Sequence, residues 1–281
     1  MTALATVLIP AFNEAGVISR TLSCLQAGIA PGTFRIVVIA NACTDATAEV
    51  SRRAGPDVIV LETPVPGKCH AMNLGLAEAH ADRPVICLDA DLDVSPESIL
   101  RLIAPLRDGT TLASCGRMAV DTTGCSALVR AWVRAWQVNP YFARGKFGGL
   151  FALSPAGVAR VFPLPQVTGD DEWVRRAFSA EEVTFVPGCS FASRAPRTIG
   201  ALIRTRRRSL RGARAVSAMG RPAPENEGAK VMLRAALPRP GLWFAMLVFA
   251  TVMIWVRVLL AIEPPAAARR WERDLTTRPG A

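Results

Sequence analysis

Three aspartates stand at alternating positions in residues 85–98, "VICLDADLDVSPES": Asp89, Asp91 and Asp93. On an extended backbone alternate side chains share a face, so the three carboxylates would project together, about 6–7 Å between neighbours. At an effective dielectric of ~20, each neighbouring pair would repel by roughly 2–3 kcal/mol. A divalent cation is the natural neutraliser. Mg²⁺ or Mn²⁺ accepts one or two carboxylates and completes its shell with phosphate oxygens and water. Two other features could share that chemistry. Gly67–Lys68 opens a helical pattern, "GKCHAMNLGL", where unpaired N–H groups, the helix dipole and a lysine together suit a diphosphate. Asp170 and Asp171 stand ahead of another helical pattern in "TGDDEWVRRAF". Each signal also has a plain structural reading: solvated turn aspartates, a loop lysine, and first-turn acids that complement a helix dipole.

These residues need elements to hold them. The first hundred residues alternate strand-like runs ("ALATVLIP", "FRIVVIA", "DVIVLE", "PVICLDA") with helical stretches ("NEAGVISRTLSCLQA", "CTDATAEVSRRA", "KCHAMNLGLAEAHA"). Repeated βα units with continuous apolar strands predict a parallel sheet covered on both faces. A fourth helix follows Asp93, with Ser95 as N-cap and Pro96 in its first position. Ligands in such sheets bind beyond the carboxyl ends of the strands. Residues 10–14, 41–45, 67–68 and 89–93 all fall on that edge. Beyond Thr110 the pattern turns α+β: a strand "TLASCGRMAV", a helix around "SALVRAWVRAWQV", then "KFGGLFALS", the acidic pair, a strand "EVTFVP" and an arginine-rich helix "IGALIRTRRRSLRGARAVSAM".

Taken in order, "VLIPAFNEAGVISRTL", "VVIANACTDATA", "GKCHAMNLGL" and "LDADLD" resemble the nucleotide-sugar-dependent family 2 glycosyltransferases of the GT-A fold, over residues 4–212. The resemblance implies a GT-A-type, Rossmann-like, mostly parallel sheet flanked by helices. It implies a nucleotide-diphosphate sugar donor held by Pro10, Ala11, Asn13, Glu14, Asn41 and Asp45. Asp89-Ala90-Asp91 matches the family's Asp-x-Asp element, which assigns Asp91 to the Mg²⁺ or Mn²⁺ ion and Asp89 to the ribose or to support of the metal. Asp93 is expected to be a loop residue. The second member of the family's later acidic pair is the general base of inverting transfer, here Asp171, with Asp170 beside it. "FGGLFALS" is similar to the strand lining the acceptor side, which marks Gly148 and Gly149 as points of close approach. "RTRRRSLRG" resembles a basic motif that closes over the diphosphate, with Arg208 in the arginine position. Ser209 stands where processive polysaccharide synthases carry tryptophan, which argues for a non-processive enzyme.

Charge divides the chain. Residues 1–193 carry 16 Lys/Arg and 18 Asp/Glu; residues 194–281 carry 17 and 5, and sixteen of those 17 are arginines. A near-neutral body with a basic tail points to an anionic partner surface. Residues 241–262, "GLWFAMLVFATVMIWVRVLLAI", form an apolar stretch whose helix would be roughly 33 Å long, enough for a ~30 Å hydrocarbon core. Arg257 lies inside it, and basic residues flank it equally: Arg221, Lys230, Arg234 and Arg239 before, Arg269, Arg270, Arg273 and Arg278 after. The positive-inside rule therefore gives no orientation, and a span and an in-plane helix both remain open. A lipid partner suits this neighbourhood better than nucleic acid, because few aromatics interleave the arginines. Seven cysteines, an odd number without a CxxC pair, read as reduced cytosolic thiols. No secretory signal is visible, and zinc is disfavoured by two isolated histidines.

The expected organisation is a GT-A catalytic domain at 1–193, with a nucleotide-binding half (1–109) and an acceptor half (110–193). An arginine-rich helix and linker follow at 194–228, then a membrane-associated hydrophobic helix with a basic tail at 229–281. The expected activity is metal-dependent inverting transfer to an acceptor hydroxyl at the cytoplasmic face of the membrane, where a lipid-linked acceptor is at hand. Three rival readings fit less well. A haloacid-dehalogenase-type phosphatase would place its nucleophilic strand first and its lysine between the acidic motifs, whereas Lys68 precedes Asp89. A Rossmann dehydrogenase needs a GxGxxG after an early strand, and none is present. A non-catalytic membrane-associated binding module would have little use for Lys68, Asp91 and Asp171 together.

Overall fold

In the computed structural model, residues 3–145, 147–223, 229–263 and 276–277 are described. The strands are β1 (Ala5–Ala11), β2 (Phe34–Asn41), β3 (Val58–Thr63), β4 (Val85–Leu88), β5 (Asp93–Val94), β6 (Ala113–Asp121), β7 (Leu150–Leu153) and β8 (Val183–Arg194). The helices are α1 (Ile18–Gln26), α2 (Thr47–Arg52), α3 (Lys68–Gly75), α4 (Pro96–Ile103), α5 (Ala127–Trp136), α6 (Tyr141–Arg144), α7 (Pro155–Val161), α8 (Asp170–Arg175), α9 (Ile199–Ala218), α10 (Ala229–Ala236) and α11 (Trp243–Ala261).

The strands form one eight-stranded sheet in the order β3-β2-β1-β4-β7-β6-β8-β5. β3, β2, β1 and β4 run parallel, with Ala5 opposite Phe34, Ile36 opposite Val58 and Thr6 opposite Val85. They are parallel, each carrying a continuous apolar run and joined to the next by a crossover helix that covers a face. From β7 onward the sheet turns antiparallel: Val85 pairs with Leu153, and Ala113 with Leu153 on the other side. This mixed architecture is the predicted one, and its first four strands end on a common carboxyl edge. Leu8, Val37, Ile39, Ala71 and Val85 form the core beneath that edge, and Cys69, Met72, Phe147, Phe151, Leu164 and Val174 belong to a second core cluster under the antiparallel half.

The chain divides into two compact units. The first comprises residues 1–119 and 145–193 and contains most of the sheet. The second comprises residues 120–144 and 194–281, where α5, α9 and α11 pack around Val129, Trp132, Val133, Leu202, Val252 and Val256. Within this unit the arginine helix has partners of its own. The Arg206 guanidinium lies over the rings of Trp132 and Trp136, 5.3 and 4.9 Å from their centroids. Arg211 forms a bidentate pair with Glu263 at 2.5 and 3.1 Å. Arg206 and Arg211 are thus engaged by groups of their own unit. The basic residues Arg269, Arg270, Arg273 and Arg278 lie outside the described residues.

Candidate active site

The acidic stretch is not an extended strand. β4 stops at Leu88, and residues 89–92 make a turn in which the Leu92 amide donates to the Asp89 carbonyl at 3.4 Å. That turn breaks the alternation, so the three aspartates are separated in role. Asp93 belongs to the two-residue strand β5, opposite Ala192, rather than to a loop. Its carboxylate accepts from Arg20 Nε at 2.7 Å, which makes it part of a local ion pair. Two α1 side chains fix the turn from below: Thr21 Oγ1 donates to the Ala90 carbonyl at 2.8 Å, and Arg20 Nη2 to the Asp91 carbonyl at 3.3 Å. Neither Arg20 nor Thr21 stands out in the sequence, because only the fold shows which residues of α1 reach the end of β4.

Asp89 is held differently. Lys68, at the first turn of α3, places Nζ 2.7 Å from Asp89 Oδ1 and 2.7 Å from Asp170 Oδ2. One ammonium thus joins the end of β4 to the start of α8. Burial by itself would lower the Lys68 pKa, but Asp170 and Asp89 more than reverse it and hold the group well above the usual lysine range. Asp170 is 4% exposed. Burial pushes its carboxyl up to about 6, against the opposing pull of Lys68 and with help from the negative charges of Asp171 and Asp89. Asp171, one residue on, is half-buried, and its Oδ1 accepts the Glu172 amide at 2.9 Å.

Second contacts hold α3 and the loop before α8 in register. Asn73 Nδ2 donates to the Leu164 carbonyl at 2.9 Å, and the Leu164 amide donates to Asn73 Oδ1 at 2.7 Å. The Cys69 thiol donates to the Val167 carbonyl at 3.3 Å. Asn73 lies in the quoted "GKCHAMNLGL", yet nothing in its type announces this bracing role.

Gly149 has the most constrained backbone beside the acidic turn. Its φ is +90°, and a Cβ there would lie 2.5 Å from Asp89 Oδ2 and 3.0 Å from Leu92 Cδ1. Its carbonyl accepts the Asp89 amide at 2.8 Å. Gly149→Ala is therefore expected to cost about 2 kcal/mol through backbone strain and steric conflict and to turn the Asp89 carboxylate away from Lys68. Thermal melts and donor titrations would check this; a variant equal to the parent in both would remove the close-approach role. Gly148, its neighbour, is partly exposed.

The β1 and β2 ends form a second group of predicted residues. Asn41, 4% exposed, donates from Nδ2 to the Ala11 carbonyl at 2.8 Å and accepts the Gly67 amide at 3.2 Å. It therefore fastens the end of β1 to the start of α3. Asn13 takes a left-handed backbone (φ 52°), and its Oδ1 accepts the Thr44 amide at 2.7 Å. Asp45 accepts the Ala15 amide at 3.2 Å and the Thr47 amide at 3.0 Å, while Glu14 donates its amide to Thr47 Oγ1 at 2.8 Å. Pro10 and Ala11 are buried in β1, so any ligand would meet them through backbone atoms. These residues knit the two loops into one ledge at the carboxyl edge. Arg208 lies on α9, in the second unit.

Among the described residues no three His, Cys, Asp or Glu groups are gathered as a preformed metal cage. The all-oxygen donors Asp89 and Asp91 still fit Mg²⁺ or Mn²⁺, since such ions are often held by one or two carboxylates with substrate phosphates supplying the rest. All seven cysteines are free thiols.

Comparisons with known proteins bear on the family and the fold. The model of "Glycosyl transferase family 2" matches residues 6–153. Uncharacterized glycosyltransferases of Mycobacterium tuberculosis and Mycobacterium bovis are 32% identical over 116 residues, 41% of this chain and 49% of theirs. The chain thus spans about half the length of the curated relatives it matches. Among solved structures, the mannosyltransferase PcManGT from Pyrobaculum calidifontis, in complex with GDP-Man and Mn²⁺, superimposes with a TM-score of 0.60 at 21% identity, covering 95% of this chain and 78% of that one. Glucosyl-3-phosphoglycerate synthase from Mycobacterium tuberculosis, in complex with Mn²⁺, UDP-glucose and glycerol 3-phosphate, gives 0.56 at 20% identity, covering 79% and 82%. At these identities the likeness is one of fold.

Proposed function

The chain belongs to glycosyl transferase family 2, and on that premise we propose that it transfers a sugar from a nucleotide-diphosphate donor to an acceptor hydroxyl, with inversion and without processive addition. The observation that carries this reading is the Lys68 bridge between Asp89 and Asp170. It joins three of the sequence motifs at the carboxyl edge of the parallel strands, where an open α/β sheet binds ligands.

Position supports the following assignment of roles. The ledge of Asn13, Glu14, Asn41 and Asp45 lies at the ends of β1 and β2, within reach of a base and ribose beyond that edge. Asp91, with Asp89, would hold the divalent cation, which when bound neutralises charge on the diphosphate leaving group. Lys68 keeps Asp89 oriented and adds positive charge beside it. Asp171, less buried than Asp170, accepts the proton of the acceptor hydroxyl as it attacks the anomeric carbon. Arg208 is the candidate for closing over the diphosphate. The long apolar α11 supports attachment to a membrane; we assign it to the cytoplasmic face, where a lipid-linked acceptor would be at hand.

The test is a thermal-shift screen of nucleotide sugars with and without Mn²⁺. One donor is expected to raise the melting temperature only when metal is present, because a ligand bound to the folded state alone stabilises it. Asp91→Asn is expected to remove at least nine-tenths of that shift. A metal-dependent shift that survives intact in Asp91→Asn would move the cation elsewhere. Release of inorganic phosphate from simple esters, with no response to any nucleotide sugar, would favour the phosphatase reading.

A further inference from the structure

The two sides of α11 differ sharply. Leu242, Ala245, Val252 and Val256 are buried, and Val248, Phe249, Met253 and Leu260 pack beside them against α5 and α9. The opposite side exposes Trp243, Phe244, Leu247, Ile254, Trp255, Val258 and Ile262, with Leu247 at 65% and Ile262 at 72%. At 3.6 residues per turn, those exposed positions with Ala250, Thr251 and Ala261 fill one uninterrupted arc of roughly 140°. Arg257 falls on the rim of that arc, exposed, its guanidinium donating to the Met253 carbonyl at 3.1 Å.

We infer that α11 lies in the plane of an anionic membrane surface, its exposed arc sunk into the acyl boundary, and does not cross the bilayer. This rests on the membrane attachment proposed above and specifies its form. The packed side runs the whole length of the helix, so crossing would carry α5 and α9 into hydrocarbon with it. α5 carries Arg130 and Arg134, and α9 carries Arg204, Arg206, Arg207, Arg208, Arg211 and Arg214. Such a load of arginine is incompatible with the bilayer interior. An in-plane helix instead sinks only its apolar arc and leaves the rim at headgroup level, which is where Arg257 sits. Tryptophans at both ends of the arc suit the same level.

Charge selects the occupant. The second unit contains 20 Lys/Arg and 6 Asp/Glu, a net of +14. A second copy docked on this arc would bring two such units together, whereas anionic lipid headgroups complement them. Arg234 and Arg239, both exposed, lie on the approach to α11 beside exposed Leu233 and Leu237.

The test uses the full chain carrying different N- and C-terminal tags, reconstituted from detergent into sealed vesicles. With phosphatidylglycerol present the protein is expected to float with the vesicles. Flotation should fall about tenfold with phosphatidylcholine alone or in high salt. Added protease should cleave both tags of a molecule or neither. Cleavage of one tag with protection of the other would overturn the in-plane arrangement and leave attachment standing. Failure to float with either vesicle would overturn attachment itself, and equal flotation with both would overturn the anionic requirement. Leu247→Glu with Ile254→Glu should reduce flotation about tenfold while helicity and donor-induced thermal shift stay unchanged, because both side chains are exposed. Unchanged flotation would overturn the docking arc.

Discussion

Replacing Lys68 by methionine is expected to destabilise the folded chain by about 2–4 kcal/mol at pH 8 and to abolish detectable donor binding. The ammonium is the common partner of Asp89 and Asp170, so its removal leaves two carboxylates facing each other across one gap. Breaking a buried pair from one side usually costs about 3–5 kcal/mol, and the lower figure applies because the Asp89 side chain keeps 36% of its surface in solvent. The pH dependence separates this from simple loss of packing. Asp170 already titrates at about 6, above the ordinary aspartate value of 3.8, and Lys68 is the main influence pulling it down. Without Lys68 the folded-state value rises further. A carboxyl whose folded pKa is raised binds its proton more tightly in the fold than in the unfolded chain. The stability it contributes is therefore full below the unfolded value and lost as pH rises through the folded one. Lys68 itself, held above the ordinary lysine value, contributes undiminished through this whole window in the parent. The variant's deficit should accordingly be larger at pH 8 than at pH 5. Denaturant melts at the two pH values, with Lys68→Arg as a charge-retaining comparison, measure it. A deficit that is flat with pH would reduce Lys68 to a packing residue.

Much of this arrangement is legible in the sequence, and the parts that are not have a common physical origin. The four parallel strands declare themselves because each is apolar on both faces. α4 begins where Ser95 and Pro96 place it, and Ser95 Oγ accepts the Ser98 amide at 3.3 Å. The arginine helix spans Ile199–Ala218 almost as its composition predicts. What sequence pattern misses is set by partners distant in the chain. Alternation of Asp89, Asp91 and Asp93 reads as one acidic face. β4 ends before Asp89, however, and Asp93 is drawn into pairing with a residue about a hundred positions later. α1 starts at Ile18, later than its polar prelude implies, because Asn13 adopts a left-handed turn and the Glu14 and Ala15 amides are tied to Thr47 and Asp45. Lys68 reads as a phosphate-facing lysine; its two carboxylate partners become visible only when β4 and α8 are brought to the same edge. Likewise α11 is apolar enough to be read as a span. Its packed side depends on α5 and α9, which the hydropathy of one segment cannot report.

The same long-range view distinguishes the two members of the acidic pair. Asp170 is nearly inaccessible and its Oδ2 is committed to Lys68, so it serves the site by holding other groups. Its raised pKa reflects burial first. That makes it a structural acid whose substitution should resemble loss of Lys68.

Asp171→Asn should give the opposite signature: kcat lowered by 10²–10⁴-fold, or about 3–5 kcal/mol of barrier, with donor affinity and melting temperature close to the parent. Asparagine keeps the Oδ1 atom that accepts the Glu172 amide at 2.9 Å, so the start of α8 is preserved. It removes only the capacity to take a proton. Metal-dependent donor binding should persist, because the substitution leaves Asp91, Asp89 and Lys68 in place. Asp170→Asn supplies the contrast, since weakening the Lys68 bridge should depress stability and donor binding before it touches the chemical step. Initial-rate assays across donor and acceptor concentrations, paired with thermal melts, separate the two. If Asp171→Asn retained the parental kcat, the proton would have to leave through another group. Asp170 would be a poor substitute, because an oxygen that accepts the acceptor's proton there would have to release the ammonium that orders the site.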